Sequence, residues 1–344
     1  MKSQSQYAIN FEDVFNFDNM IASAHGCYKG VNWKTSTINY KSTETQNVAV
    51  VVRDLMNYAY KSKPFVKDVK TERGKARNIS ALHIRDRNVQ KCYCDYFLVP
   101  ILTKRLIYDN GACMKGKGCT FAINRLKAHL QQYFRHNNYS NKGYILTFDF
   151  SKFFESIDHK LLLEKVKVVV GKENSDPRLF EIYDYFVSAF EGGKGLGLGS
   201  QISQISALFF ADEIDHFIKE CAKMKYYARY MDDGYVIGNS KEDLRRLKHQ
   251  IVELAEKLGL KVNLKKTRIW NLEKGFMLLN RHWNLTIKNY IKLKPSHTTL
   301  KRLKRRYRKI VLTKSPEAVQ RFVSSTDGFI KQFNNRRLKI YVYN

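Results

Sequence analysis

Two adjacent aspartates, Asp232 and Asp233, stand between two runs of aromatic and β-branched residues in the segment YYARYMDDGYVIG. Apolar runs on both sides of a short polar break predict a β-hairpin, Tyr226–Tyr230 against Gly234–Ile237, with Met231, Asp232 and Asp233 at its turn. Two carboxylates on one tight turn repel, and the apolar flanks hold that turn beside a core, where water screens the repulsion poorly. A solvated turn tolerates acids; a pair of them beside a core calls for a cation. A third acid, Asp149, follows the run YILTF, whose composition predicts a buried strand over Tyr144–Phe148. Three such carboxylates are the hard oxygen donors that two Mg²⁺ ions take, with Mn²⁺ as the substitute, and such ions also bind substrate phosphates. The chemistry they serve is phosphoryl transfer, in which two ions about 3.5–4 Å apart activate a hydroxyl and neutralise the leaving group.

The rest of the chain shows no internal repeat, no low-complexity tract and only five prolines. Apolar residues recur at helical spacing over 11–24 and 47–60, and helices are also expected over 89–107, 119–134, 160–169, 177–190, about 201–222 and 241–258. Residues 64–90 are basic and irregular, with short strands expected around 77–84, and a glycine-rich turn covers 192–199. This order predicts an α+β core with a helical tail. Six cysteines without a Cys-x-x-Cys pair read as reduced, mostly buried thiols. No run of 18 uncharged apolar residues occurs, so no membrane span is expected. The opening MKSQSQYAINFEDVF lacks a basic-then-apolar signal pattern, which predicts a cytoplasmic location.

The charge balance points to a polyanion. The chain carries 61 Lys and Arg against 32 Asp and Glu, a net +29, and residues 281–344 hold 17 of those cations with only two acids, Glu317 and Asp327. Within that tail, TTLKRLKRRYRKIVL (298–312) sets Leu300, Leu303, Tyr307, Ile310 and Val311 on one helical stripe. Lys301, Arg302, Lys304, Arg305, Arg306, Arg308 and Lys309 cover the remainder. Seven cations on one short helix repel one another unless a polyanion screens them, so this helix is expected to lie along nucleic-acid phosphates without reading sequence.

At this point the residues resemble a known family. FDFSKFFESIDH, GLGLGSQISQ, YMDDG, LKVNLKKTRI and GFMLLN occur in the order and spacing of the palm motifs A to E of reverse transcriptases. KARNISALHIRDRNVQ and YDNGACMKGKGCTFAINRL are similar to finger motifs of the bacterial enzymes, and the resemblance spans about residues 48–335. It implies a right-hand polymerase of α+β class: a helical extension over 1–70, fingers over 71–143, a palm with an antiparallel sheet over 144–280 and a basic helical thumb over 281–344. Asp149, Asp232, Asp233 and the backbone carbonyl of Phe150 would be the metal ligands. Phe154 falls at the steric gate that excludes a 2′-hydroxyl, which makes deoxynucleotides the expected substrate. Lys75, Arg77, Arg85 and Arg87 lie in the segment that grips the triphosphate. Leu198, Gly199 and Gln204 border the incoming nucleotide, and Lys266 matches the lysine that protonates pyrophosphate, with Lys265 beside it as a substitute.

Three departures from the common pattern stand out. Leu198 replaces a glutamine, Ser203-Gln204 replaces Ser-Pro, and Asn280 replaces a glycine. The first two resemble the enzymes of diversity-generating retroelements, and defence-associated reverse transcriptases of bacteria and phages share overlapping motifs. The implied activity is RNA-directed DNA synthesis from dNTPs on a primer, copying a dedicated structured noncoding RNA, with a DNA product and with a small accessory protein among the partners the family allows. Two alternatives stand beside it: template-independent or protein-primed DNA synthesis in antiviral defence, and a catalytically idle RNA-binding scaffold.

Overall fold

A computed structural model of the protein describes residues 7–72, 75–333, 335 and 337–344. Its centre is an antiparallel sheet of strands β3 (Tyr144–Ser151), β4 (Tyr227–Tyr230), β5 (Asp233–Gly238), β6 (Lys261–Val262) and β7 (Arg268–Asn271). The order is β4-β5-β3, with β6 and β7 sharing the far edge of β3. Two further antiparallel sheets are smaller: the hairpin of β1 (Val66–Glu72) and β2 (Lys75–Ala81), and the trio β8 (Phe276–Leu278), β9 (Arg281–Leu285) and β10 (Ile291–Pro295).

Strand alternation divides the core in two. Leu146, Phe148 and Phe150 of β3, with Val236 of β5, face the larger cluster, built with the helices Gln201–Phe210, His159–Gly171 and Lys241–Lys257. Ile145, Tyr235 and Ile237 face the other way, onto the helix Cys119–His136 and onto Phe276, Leu278, Trp283 and Leu285 of the three-stranded sheet. The helix Lys241–Lys257 presents Leu244, Leu247, Ile251 and Ala255 to the core, as its apolar spacing predicts, and Ser240 caps its first turn by accepting from the Asp243 amide. Near the N-terminus, the helices Phe17–Tyr28 and Glu44–Met56 pack against the helix Ile84–Tyr93.

Several expected boundaries move. The helix expected over 89–107 begins at Ile84, and a π-helical turn over Cys94–Leu98 joins it to the segment Val99–Thr103. The helix expected to run to 222 breaks at Ala211, resumes over Asp212–His216 and ends in a second π-helical turn, Phe217–Cys221. The basic tail is not helical from its start: 281–295 forms β9 and β10, and helices follow over His297–Thr313, Pro316–Lys331 and Arg337–Tyr343. Cys27, Cys92 and Cys94 are buried, whereas Cys113, Cys119 and Cys221 are exposed; all six are free thiols. Among the described residues no helix is long and apolar enough to cross a membrane.

Candidate active site

Asp149 and Asp233 are direct cross-strand partners on β3 and β5, so their side chains rise from the same face of the sheet. The β4–β5 turn is one residue shorter than the sequence predicts: Tyr230 pairs with Asp233, leaving Met231 and Asp232 as the loop. Asp233 therefore belongs to the ladder, and only Asp232 sits at the tip. Met231 adopts a left-handed backbone (φ 55°), which non-glycine residues enter at a cost of about 1 kcal/mol or more. The Asp232 carbonyl accepts from the Phe150 amide at 3.3 Å, which ties the tip to β3 immediately after Asp149.

Charge at the site is unbalanced. Burial raises the Asp233 carboxyl to about 7, and the neighbouring Asp232 and Asp149 push it in the same direction. Burial likewise lifts Asp232 above the ordinary carboxylate range, Asp149 adds to it, and Lys266 and Arg77 oppose it. Asp149 is only 7 % exposed. Its Oδ2 accepts from Lys266 Nζ at 2.6 Å, in a loop held to β3 by the Asn263 amide donating to the Asp149 carbonyl at 2.7 Å. Burial disfavours the Lys266 ammonium, but Asp149 outweighs it, and the net effect keeps that ammonium charged beyond the ordinary lysine range. Among the described residues, no three His, Cys, Asp or Glu side chains stand together as a ready metal-holding group. The donor set nevertheless fits hard divalent cations, since all three groups are carboxylates, and the charges of Asp232 and Asp149 add to the burial that raises Asp233.

The remaining expected site residues are spread over the β1–β2 hairpin, the glycine-rich loop and the neighbouring helices. Arg77, on β2, is close enough for its charge to act on Asp232. The side chain of Lys75 lies outside the described residues. Two residues beyond Arg77 the hairpin docks on the glycine-rich loop: Ile79 bridges to Leu198, and the Ser80 amide donates to the Leu198 carbonyl at 3.2 Å. Gly199 follows with φ 113°, a conformation that favours glycine. Gln204 is exposed on the helix Gln201–Phe210, its Oε1 3.4 Å from Cys113 Sγ, so this side chain links that helix to the 108–118 segment. Phe154 is half-buried, edge-on to Phe153, and its carbonyl accepts from the Leu196 amide at 2.9 Å.

The other two cations expected at the triphosphate, Arg85 and Arg87, stand on the helix Ile84–Tyr93 that follows the hairpin. Arg85 Nη2 donates to the Lys61 carbonyl at 3.0 Å and its guanidinium stacks 5.2 Å from the Tyr60 ring, so it anchors the 60–63 segment. Arg87 is exposed on the helix Ile84–Tyr93, beside Cys27 of an N-terminal helix. Both stand on a helix whose buried face turns toward the N-terminal helices, a packing direction that one-dimensional spacing does not carry.

A cleft of about 1020 Å³ opens over Tyr230 and Asp233 and is walled by the helices His297–Thr313 and Pro316–Lys331. Of the seven cations expected on the 298–312 helix, Arg302, Arg306 and Lys309 line it, as successive turns of one helix should. Lys301, Lys304, Arg305 and Arg308 do not: Lys304 lies 5.0 Å from the Tyr341 ring, and Arg308 donates to the Asn344 carbonyl at 3.0 Å. Sequence reasoning missed Arg281 and Arg321, which also line the cleft. Arg281 is nearly buried and braced by the Leu279 carbonyl and Gln332 Oε1. It missed Arg229 as well, a fully buried guanidinium in β4 paired with Asp215 at 2.6 Å. The only available signal was an arginine inside an otherwise apolar strand.

Residues 63–296 match the family described as reverse transcriptase (RNA-dependent DNA polymerase). Among solved structures, the chain is similar to apo telomerase from Candida tropicalis truncated from its C-terminal domain, at 15 % identity and TM-score 0.51, over 73 % of this chain and 60 % of that one. It is also similar to telomerase from Candida albicans in complex with a fragment of telomeric RNA, at 13 % identity and TM-score 0.52, over 82 % of this chain and 55 % of that one. At these identities the likeness concerns the fold, and the chain spans 55–60 % of the length of these two structures. No curated protein matches the chain.

Proposed function

The chain belongs to the reverse transcriptase (RNA-dependent DNA polymerase) family, and from that premise we propose that it copies RNA into DNA by adding deoxynucleotides to a primer 3′-hydroxyl. The observation that carries this reading is the cross-strand pairing of Asp149 with Asp233, next to Asp232 in the chain, with Asp233 lining a cleft that is walled by cations. Asp149, Asp232, Asp233 and the Phe150 carbonyl would hold two Mg²⁺ ions, with Mn²⁺ as a substitute. When bound, these ions supply the Lewis acidity that activates the hydroxyl and neutralises the leaving pyrophosphate.

The chain's own residues have separate tasks in this proposal. Arg77 and Lys75 of the fingers hairpin would hold the triphosphate, and Arg suits its oxygens because its fork donates in pairs. The Phe154 ring would close the space beside the sugar C2′. Leu198 and Gly199 would border the base without donating to it, and Gln204 would steady their loop. Lys266 keeps its proton at neutral pH and stands at Asp149, so it would supply the proton that the leaving pyrophosphate takes up. Arg302, Arg306 and Lys309 would contact duplex phosphates. In this reading 71–143 are the fingers, 144–280 the palm and 281–344 the thumb, with 1–70 a helical extension. A dedicated structured RNA of a bacterial or phage retroelement or defence system would be the template, in the cytoplasm, with a small accessory protein as partner.

The test is dNTP incorporation with Mg²⁺ on a primed RNA, beside the Asp232→Ala/Asp233→Ala variant. Long labelled product from wild type alone is expected. Product that persists in the variant sinks the metal assignment, and product that forms without added template moves the reading to untemplated synthesis. Metal-independent RNA binding with no incorporation identifies a scaffold.

A further inference from the structure

We infer that Arg229, through its ion pair with Asp215, is a positioning residue that sets the Met231-Asp232 turn of the active site. Arg229 and Asp215 are both completely buried. Arg229 Nε donates to Asp215 Oδ1 at 2.7 Å and Nη2 to Oδ2 at 2.6 Å, a two-pronged geometry only arginine offers. Tyr227 donates its hydroxyl to the same carboxylate. These contacts satisfy the charge, yet they leave two guanidinium bonds that the ion pair does not need. Nη2 donates to the Leu208 carbonyl, and Nη1 donates to the Met231 carbonyl, each at 2.9 Å.

The Met231 bond distinguishes a positioning device from a structural ion pair. Met231 holds the left-handed conformation, and its carbonyl belongs to the peptide that leads directly into Asp232. A strained residue persists only where its surroundings over-determine it. Here the restraint comes from a side chain two residues upstream, itself locked by a carboxylate on the helix Asp212–His216. The Arg229 backbone is fixed as well: its amide donates to the Asp109 carbonyl at 3.3 Å and its carbonyl accepts from the Gly111 amide at 2.9 Å. Across the ladder, Arg229 faces Gly234. The guanidinium thus joins the helix at Asp215 and the helix end at Leu208 to one peptide of the catalytic turn, while the Arg229 backbone ties the same strand to the 109–111 segment.

Stability alone gives little reason for this arrangement. A buried ion pair is often replaceable by apolar side chains of similar volume with no loss of stability. An apolar replacement would, however, release the Met231 carbonyl. A small displacement of a reacting group costs roughly 100-fold in rate, so the turn would lose activity while the fold survives.

The inference rests on the polymerase reading, and the experiment separates the two. The triple variant Arg229→Met/Asp215→Leu/Tyr227→Phe removes every member of the cluster and leaves no buried charge or orphaned hydroxyl. Arg229→Lys keeps the charge but cannot donate to Asp215, Leu208 and Met231 together. For each protein one measures the melting temperature, kcat and KM for dNTP, and hydrogen exchange of the peptide containing residues 230–234. The expected result is a triple variant that melts near wild type, loses roughly 10–100-fold in kcat with KM changed less than about 3-fold, and exchanges faster over 230–234. Arg229→Lys should fall between the two. Wild-type kcat and exchange in the triple variant overturn the inference, and so does a loss of kcat that only tracks a lowered melting temperature in both variants. If wild type itself makes no product, the polymerase reading fails, and the exchange data still decide: faster exchange over 230–234 supports the positioning role, and unchanged exchange refutes it.

Discussion

Gly234 follows the Asp232-Asp233 pair, and a β-carbon there would lie 2.2 Å from Cζ of Phe148 and 2.6 Å from its Cε1. The two residues are cross-strand partners, so the Phe148 ring fills the space that a side chain at 234 would need. Phe148 is only 2 % exposed and has little room to turn. Gly234→Ala should therefore destabilise the fold by about 1–3 kcal/mol, as overpacking does. It should also disturb the adjacent Asp149–Asp233 rung, lowering incorporation beyond what the reduced stability explains. Gly234→Ala combined with Phe148→Leu should regain most of the stability. Urea unfolding of both variants beside wild type checks this; a fully stable single variant would show that the ring moves freely. The glycine of YMDDG could be read as part of a motif from the sequence. The reason for it, an aromatic ring one strand away, could not.

At the level of elements, the helix His297–Thr313 has no fully buried residue. Its expected apolar stripe is divided: Leu303 and Ile310 line the cleft, whereas Tyr307 packs 6.2 Å from Phe322 and 5.0 Å from Tyr343. The cations are divided in the same way, and this makes a prediction about binding. Arg302→Gln/Arg306→Gln should weaken primer–template binding and lower the slope of log affinity against log salt by roughly one for each phosphate deprived of its cation, about two in all. Lys301→Gln/Arg305→Gln removes the same charge from the other side and should change the slope by less than about one. Anisotropy titrations between about 50 and 200 mM salt distinguish the pairs; equal effects would mean that net charge rather than the cleft face governs binding. Helical periodicity located these cations and their element. Which face meets the cleft depends on how the helix packs against Pro316–Lys331 and Arg337–Tyr343.

For the molecule as a whole, the joint between the helix Cys119–His136 and the central sheet sets a pH limit. His129 is buried there, its Nδ1 2.9 Å from the Tyr235 hydroxyl, with Asp109, Arg125 and Lys219 around it. Burial pushes its pKa down to about 4, Asp109 opposes that shift, and Arg125 and Lys219 reinforce it. The folded chain thus keeps His129 neutral, while an unfolded one takes up a proton below about 6.5. Between those values the unfolded state binds more protons, so this contribution is complete above about pH 6.5 and is lost as pH falls toward 4, roughly 1–3 kcal/mol in total. Denaturation of wild type and His129→Gln across that range should show a shallower slope for the variant; parallel curves would assign the acid sensitivity to other groups. The sequence by itself determined the alternating strands around Asp149 and the aspartate pair, most of the helices, the α+β class and the basic tail, because periodicity and composition are local properties. Only the tertiary structure decided that Asp233 joins the ladder opposite Asp149, that Arg85 contacts the 60–63 segment, that 281–295 contributes two strands, and that Arg229 donates to the Met231 carbonyl. Those outcomes depend on register, burial and contacts between residues far apart in the chain, which no local pattern encodes.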